Sequence, residues 1–178
     1  MNQTIPHDGE DSDAKTGRSE PEFGDYLNCY FPGQIYTNYE LNIPNSWPRR
    51  SYTPDFAYID KEINLFIDIE IYEPYTYNEC GEIEAIHYVG YRKDEKRNKF
   101  FNNKRGWIVI RFSEEQAVRY PRSCCKFIAE QIAEITRNSA ITSQFDQIPD
   151  LQPQQQWTEK EAMEMAKRKE RNDYYLKK

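Results

Sequence analysis

The run TPDFAYIDKEINLFIDIEIYEPY, residues 53–75, most constrains what this chain can fold into. It contains two β-prone stretches, DFAYI and LFIDIEI, separated by the pentapeptide DKEIN. Such stretches predict two strands joined as an antiparallel hairpin. Yet the second strand carries two carboxylates, Asp68 and Glu70, and the first begins with a third, Asp55. The fold must therefore accommodate three acids in the most apolar segment of the chain.

The geometry of a hairpin predicts which of these side chains meet. With the turn centred between Lys61 and Glu62, Asp55 lies directly opposite Asp68, and opposed residues place their Cβ atoms about 4.5–5.5 Å apart. Because side chains alternate along a strand, Glu70 shares the face of Asp68. The same register unites six apolar side chains on the other face: Phe56, Tyr58, Leu65, Ile67, Ile69 and Ile71.

Three carboxylates on one patch allow two interpretations. Like charges this close repel each other, and a buried carboxylate is costly without a partner. A divalent cation such as Mg²⁺, which prefers oxygen ligands, would relieve that cost. Alternatively, the acids line an exposed sheet face and pair with Arg or Lys. The spacing alone leaves both interpretations open.

The net charge of −6 conceals an asymmetry along the chain. Residues 26–90 carry three basic and ten acidic side chains, whereas residues 91–126 carry eleven basic and four acidic ones. The acidic part would repel phosphate unless a cation binds there, and the basic part would attract it. A nucleic-acid partner is therefore compatible with an acidic chain.

Composition divides the 178 residues into a domain and flanking segments. Residues 1–20 are polar and acidic without an apolar period, which predicts a disordered tail. Residues 21–140 hold the periodic apolar segments and are predicted to form the folded domain. A Gln/Pro linker is predicted over 141–156. Residues 157–178, which open with a T-x-x-E capping box, predict a charged helix loosely attached to the domain.

Within the domain, the apolar patterns predict the element order α-β-β-β-α-β-α. The predicted elements are, in sequence, PEFGDYLNCYF, IYTNYELNI, DFAYI, LFIDIEI, YRKDEKRNKFFNNKRG, WIVIRF and CCKFIAEQIAEIT. Gly106 is expected to end the second helix and Ser123 to cap the third. The segment YEPYTYNECGEIEAIHY is predicted to be irregular. This order implies an α/β fold with a mixed sheet flanked by helices.

Several classes of protein are disfavoured by the sequence. The four cysteines show neither a CxxC nor zinc-like spacing, and the adjacent pair Cys124–Cys125 is expected to pack in the core. Nothing approaches the ~18 consecutive apolar residues of a membrane span. No secretory signal is visible either. A reducing, cytoplasmic location without membrane contact is therefore expected.

Five short motifs occur in an order that is typical of one nuclease superfamily. They are PDF at 54–56, DIE at 68–70, His87, DEKR at 94–97 and GWIVIRF at 106–112. This layout resembles the PD-(D/E)xK, or restriction-endonuclease-like, superfamily. It is most similar to the compact branch that includes very-short-patch-repair endonucleases. The resemblance covers residues 20–135 and implies a restriction-endonuclease-like core that hydrolyses phosphodiester bonds in DNA.

The same resemblance implies a metal site built from carboxylates. Asp55 and Asp68 would bind Mg²⁺ (or Mn²⁺), with Glu70 as a further ligand. Glu70 stands where the superfamily commonly has a Lys that positions or deprotonates water, whereas the repair-type branch is expected to have an acid there. An acid of the first helix often completes such sites. Glu22 is the predicted one here, with Glu20 left open.

His87 is expected to join these acids in catalysis by accepting or relaying a proton, the alternative being an ordinary hydrogen bond in a loop. The basic segment is expected to contact DNA phosphates without reading base sequence. The predicted nucleic-acid-binding residues are Arg92, Lys93, Lys96, Arg97, Lys104, Arg105 and Arg111. Arg97 is alternatively predicted to orient carboxylates or to pair with Asp94 one turn away.

The prediction is thus a Mg²⁺-dependent DNA endonuclease or nickase, with duplex DNA as the expected substrate. No sequence-reading module is recognisable. Target choice would then come from loops such as 44–53 and 72–90, or from a protein partner. The alternative is a catalytically inactive module of the same fold that binds nucleic acid or a protein. The acid in place of Lys at Glu70 favours that alternative.

Overall fold

The computed structural model describes residues 7–10 and 16–176. The strands are β1 (Gly9–Glu10), β2 (Ile35–Tyr36), β3 (Tyr39–Asn42), β4 (Ser51–Tyr52), β5 (Phe56–Asp60), β6 (Leu65–Tyr72), β7 (Tyr75–Tyr77), β8 (Ile83–Ala85) and β9 (Ile108–Ser113). The α-helices are α1 (Glu20–Tyr30), α2 (Arg92–Asn98), α3 (Glu114–Arg119), α4 (Pro121–Thr136), α5 (Glu159–Arg168) and α6 (Glu170–Leu176). A π-helix (Lys99–Arg105) continues α2, and a 3₁₀-helix (Ser139–Phe145) follows α4.

A mixed four-stranded sheet organises this α/β protein, with strand order β2-β5-β6-β9. β2, β5 and β6 are antiparallel neighbours, and β9 runs parallel to β6. Two smaller sheets, β1-β3-β4 and β7-β8, complete the strands of the described residues. Along the chain, the main sheet and the helices packed on it follow the order α1, β2, β5, β6, α2, β9, α3 and α4. The apolar patterns predict this order except for the short helix α3, whose Ala117 joins the core.

One face of the main sheet is covered by α1 and α4. Phe23 and Leu27 of α1, Phe31 just after it and Ile128 of α4 are almost fully buried against it. The six apolar side chains predicted to share a face all belong to this core cluster, so that prediction is confirmed. Cys124 and Cys125 are buried in the same cluster, as expected for core packing.

The opposite face is covered by the π-helix and the small sheet that includes β3. Phe100, Phe101 and Trp107 pack there against apolar side chains of β5 and β6. The predicted helix thus exists, but its second half has the wider π turn. It ends at Gly106, whose φ of 72° is the left-handed conformation that glycine adopts without a steric penalty.

The register of the β5–β6 hairpin differs from the prediction by two residues. Asp60 pairs with Leu65, so the connection is 61–64 rather than a turn centred on Lys61 and Glu62. The Asp60 carboxylate accepts the N–H groups of Glu62 and Ile63 at 3.0 and 3.3 Å, and Asn64 adopts a left-handed φ of 54°. These turn contacts lengthen the loop by two residues. A shift of two keeps every side chain on its predicted face.

The structure describes only part of the N-terminal segment. The prediction of disorder over 1–20 is wrong for residues 7–10, where β1 pairs with β3 and His7 stacks on Tyr39 at 3.7 Å. It is also wrong close to α1, where Ser19 is buried. Residues 1–6 and 11–15 lie outside the described residues.

The predicted linker and terminal helix are both packed against the domain. Phe145 and Ile148 of the predicted linker are buried in the main core. The terminal segment forms two helices rather than one, because Lys169 between them has a left-handed φ of 54°. The capping box at Thr158 is confirmed, but Tyr174 is buried, so the attachment is not loose. The last two residues of the predicted helix are outside the described residues.

Three further predictions need correction. The stretch IYTNYELNI divides into β2 and β3, which belong to different sheets. Helix α4 begins at Pro121, so Ser123 is a buried residue of its first turn rather than its cap. The segment expected to be irregular contains the β7–β8 hairpin.

As for membranes, no helix of the described residues is long and apolar enough to cross one.

Candidate active site

The hairpin brings the three predicted acids together, at the start of β5 and in the second half of β6. Asp68 is fully buried and Glu70 nearly so, both on the sheet face that α2 covers. Asp55 directly precedes β5, and its backbone N–H donates to Glu70 Oε1 at 3.2 Å. Its carboxylate accepts the N–H of Ile71 at 2.7 Å. With the shifted register, Asp55 thus faces Glu70 rather than Asp68, and the set of three is preserved.

Arg97 of α2 is the basic partner of this set. Its Nη2 donates to Asp68 Oδ1 at 3.2 Å and to Glu70 Oε1. The same nitrogen donates to the carbonyl oxygen of Thr53 at 3.2 Å. Arg97 therefore orients carboxylates, as one prediction had it. It is neither a partner of Asp94 nor a free phosphate ligand.

One guanidinium does not balance the charge of three carboxylates. Burial raises the pKa of Asp55 to about 7, and the nearby charges of Glu20 and Asp68 add to the shift while Arg97 opposes it. Burial also raises the pKa of Glu70 well above its usual value, against the effect of Arg97. Asp68 Oδ2 is buried and has no hydrogen-bond partner. The charged forms of Asp55 and Glu70 are therefore disfavoured, and Asp68 retains an unsatisfied acceptor, which is unusual for a buried carboxylate.

Helix α1 contributes a fourth acid through Glu20. Burial, with the charge of Glu73 adding to it, raises the pKa of Glu20 to about 7, and the Gly17 N–H donates to it at 2.5 Å. Glu20 is close enough to Asp55 to raise its pKa, whereas the predicted Glu22 is exposed. The geometry therefore favours Glu20 as the acid of the first helix. Sequence reasoning missed Glu73, which lies just after β6 without a motif to mark it.

His87 lies beside the acids but does not contact them in the described structure. Its Nδ1 is 3.0 Å from Asp94 Oδ2, and its ring stacks on Tyr72 with centroids 3.9 Å apart. Tyr72 is the next residue after Glu70 on the same face of β6. In the neutral ring, an Nδ1–H donated to Asp94 leaves Nε2 as an acceptor. His87 is thus held in an orientation suited to a base, one side chain away from Glu70.

A cleft of about 220 Å³ opens next to the His87–Asp94 pair. It is lined by Tyr72, Asp94 and Arg111 and by the extended segment 154–157. Arg111 donates to the Tyr72 hydroxyl and to Asn98 Oδ1, so its guanidinium is engaged within the protein. The acids of β6 do not line this cleft.

The predicted nucleic-acid-binding residues separate into two groups. Four are exposed: Arg92, Lys93, Lys96 and Lys104. The other three, Arg97, Arg105 and Arg111, are engaged inside the protein. Arg105 is buried, pairs with Asp8 and donates to the carbonyl oxygen of Asn42 at 3.0 Å, so it holds the N-terminal strand. Only the exposed group is available for DNA phosphates.

The acids fit a divalent cation in chemistry but not in their present arrangement. Oxygen donors of this kind suit Mg²⁺, and Asp68 Oδ2 has a free acceptor position. Among the residues that the structure describes, however, no group of three or more His, Cys, Asp or Glu side chains is arranged to hold a metal ion. Arg97 bridges Asp68 and Glu70 instead. A cation would have to displace this guanidinium.

Comparison with known proteins adds no assignment. No family model, no curated protein and no solved structure matches this chain. The resemblance of its motifs to the PD-(D/E)xK superfamily therefore stays a prediction. Inference about function rests on the residues themselves.

Proposed function

We propose that this protein is a Mg²⁺-dependent DNA endonuclease or nickase with a restriction-endonuclease-like core. The observation that carries the proposal is the convergence of Asp55, Asp68 and Glu70, with Asp68 Oδ2 buried and without a partner. Burial raises the pKa of Asp55 and of Glu70, so ionising the whole set is costly unless a cation neutralises it. Acids whose pKa is shifted in this way cluster at functional sites.

The chain's own residues would divide the work of hydrolysis. Asp55, Asp68 and Glu70 would hold the Mg²⁺, which when bound supplies Lewis-acid stabilisation of the phosphate and lowers the pKa of water. Arg97 bridges two of these carboxylates and would have to leave them when the cation binds. The imidazole of His87, held by Asp94, would accept a proton at Nε2. The exposed cations of α2 would bind the DNA backbone.

A second candidate is the inactive module that binds nucleic acid or a protein through the same surface. Arg97 favours it, because a guanidinium that stays on Asp68 and Glu70 excludes a cation from between them. The absence of a metal-binding group among the described residues favours it as well. The two candidates differ in whether Arg97 leaves the acids when a divalent cation is present.

A supercoiled-plasmid assay with Mg²⁺ or Mn²⁺ separates these candidates. We expect the wild-type protein to produce nicked or linear DNA and Asp68→Asn, which keeps the side-chain size, to lose at least about 100-fold in rate. Asp25→Asn, at an exposed position of α1, is the matched control and should cleave normally. A protein that is inert on duplex, single-stranded and mismatched DNA, and takes up no Mn²⁺ in calorimetry, is the binding module instead.

A further inference from the structure

A groove separate from the acids lies between the β3–β4 loop and the outer surface of α2 and the π-helix. It has a volume of about 580 Å³. Four cationic side chains line it: Arg50, Lys96, Lys99 and Lys104. No Asp or Glu of the described chain lines it, and none of the ion pairs among the described residues involves these four cations. The groove thus carries concentrated, uncompensated positive charge in an acidic protein.

An aromatic side chain stands at the edge of this groove. Trp47 is 95 % exposed, the largest exposure among the big apolar side chains of the described residues. The loop that presents it is closed by its own hydrogen bonds, from the Ile43 N–H to the Arg50 carbonyl oxygen at 2.8 Å and from the Arg50 N–H to Ser46 Oγ at 2.9 Å. Tyr52 lines the groove on the inner side. An indole held in water by an ordered loop has no packing role in the domain itself.

Together, these features match the two contacts that single-stranded nucleic acid makes with proteins. Cations along a groove follow the phosphate backbone, and aromatic side chains stack on bases. We infer that this groove binds single-stranded DNA, or an unpaired stretch within a duplex, with Trp47 stacked on a base and Arg50, Lys96, Lys99 and Lys104 on the phosphates. Paired bases inside a duplex expose no face to an indole, so the site selects unpaired ones.

The groove is connected to the acidic site through Tyr52. The guanidinium carbon of Arg97 lies 5.3 Å from the centre of the Tyr52 ring. From Arg50 in the groove to Asp55 in the acidic site the chain advances five residues, about 16 Å if extended. A strand bound in the groove therefore passes within a few nucleotides of the acids. The inference deepens the proposed function, since it names the form of DNA presented to the site, and it rests on nucleic acid being the ligand.

Tryptophan fluorescence offers a direct test, because the other two indoles, Trp107 and Trp157, are buried. In EDTA, a twelve-nucleotide oligo-dT should quench the emission of the wild-type protein and leave that of Trp47→Phe nearly unchanged. By anisotropy of the labelled oligonucleotide, Trp47→Ala should bind roughly 5- to 150-fold more weakly. Tyr77→Ala, at another exposed aromatic position, is the control and should bind like the wild type.

The role of the four cationic side chains in the groove is tested by the salt dependence of oligonucleotide binding. Lys96→Ala with Lys104→Ala should lower the slope of log Kd against log salt by about 1.4, which is about 0.7 for each lost phosphate contact. Lys160→Ala with Lys167→Ala, on exposed α5 positions, should leave the slope unchanged. A hairpin duplex of equal length should compete at least tenfold less well than oligo-dT.

Three results would overturn the inference: equal competition by the duplex, displacement of oligo-dT by polyglutamate at equal charge concentration, or wild-type affinity in Trp47→Ala. Because binding is measured without divalent cations, it is independent of cleavage. Oligonucleotide binding without plasmid nicking contradicts the nuclease proposal and supports the groove inference. Plasmid nicking without Trp47-dependent binding contradicts the groove inference and supports the nuclease proposal.

Discussion

Two equally buried carboxylates of this protein, Glu114 and Asp68, have opposite hydrogen-bonding situations. Glu114 accepts both Nε and Nη2 of Arg171 at 2.6 Å, the Tyr175 hydroxyl at 2.6 Å and the Tyr174 hydroxyl. Asp68 accepts one long hydrogen bond from Arg97 through Oδ1, and its Oδ2 has no partner. The first acid is thus fully satisfied and the second is not.

The difference indicates what each acid is for. Donors from α6 surround Glu114 at the start of α3, so this carboxylate joins the terminal helices to the domain. A bidentate Arg pair with extra hydroxyl donors is the arrangement that offsets the desolvation of a buried charge. Asp68 and its neighbours lack such an arrangement and share one guanidinium. Their geometry does not maximise stability, which is typical of a site kept for binding or chemistry.

The largest expected effect follows from removing the satisfied acid. Glu114→Ala leaves Arg171 and two tyrosine hydroxyls without their acceptor, and we expect a loss of about 3–5 kcal/mol in the free energy of unfolding. Urea denaturation followed by circular dichroism measures it. Glu115→Ala, which breaks the surface pair with Arg119 and an exposed 3.5 Å hydrogen bond from Gln154, should change stability by less than about 1 kcal/mol. Equal losses in both variants would show that Glu114 does not hold the terminal helices.

Removing the arginine of the unsatisfied site should cost less. Arg97→Met keeps the side-chain volume, and Asp55 and Glu70, whose pKa values are already raised by burial, can take up protons instead. We expect a loss of about 2–3 kcal/mol at pH 8 and a clearly smaller one at pH 5. Arg92→Met, exposed on the same helix, is the control. A loss that does not depend on pH would indicate that Arg97 acts through packing on Phe101 rather than through charge.

The last effect has the opposite sign. Burial raises the pKa of Asp55 to about 7, above its unfolded value of about 3.9, so the folded state binds the extra proton and loses stability as the pH rises from about 4 to 7. Asp55→Asn should therefore match the wild type near pH 4 and be more stable at pH 8, by at most the roughly 4 kcal/mol to which the full shift corresponds. Thermal melting at both pH values, with Asp25→Asn as the control, measures it. A destabilised Asp55→Asn at pH 8 would mean that this acid is as well satisfied as Glu114.

The sequence predicts the sheet faces of the hairpin better than its register. Alternation is a local property with a period of two, so the apolar face from Phe56 to Ile71 is predictable from the strands alone. The register depends on the connection, where Asp60 and the left-handed Asn64 extend the loop to 61–64. The packing of Phe145 in the predicted linker depends on distant partners, Tyr30 among them, and leaves no periodic signal.

For the site, the motifs predict which acids meet but not how they are neutralised. Spacing places Asp55, Asp68 and Glu70 on one face, and the structure agrees. Arg97 lies 29 residues from Asp68 and 27 residues from Glu70 along the chain. Which of the three carboxylates it binds therefore depends on how α2 packs across the sheet. The partners of Glu114 are 57 to 61 residues distant, beyond any local pattern. Ion pairs of this kind follow from tertiary packing and not from sequence spacing.

If the proposed cation site exists, the position of Arg97 over a fully buried Asp68 would set a threshold for its occupancy. A cation would bind only those molecules in which the ion pair has opened, and its observed affinity would equal that of the open site multiplied by the open fraction. With an opening cost of about 2.8 kcal/mol, that fraction is about one in a hundred. The protein would then stay closed at low cation concentration and respond over a concentration range about a hundredfold higher than its carboxylates alone would set.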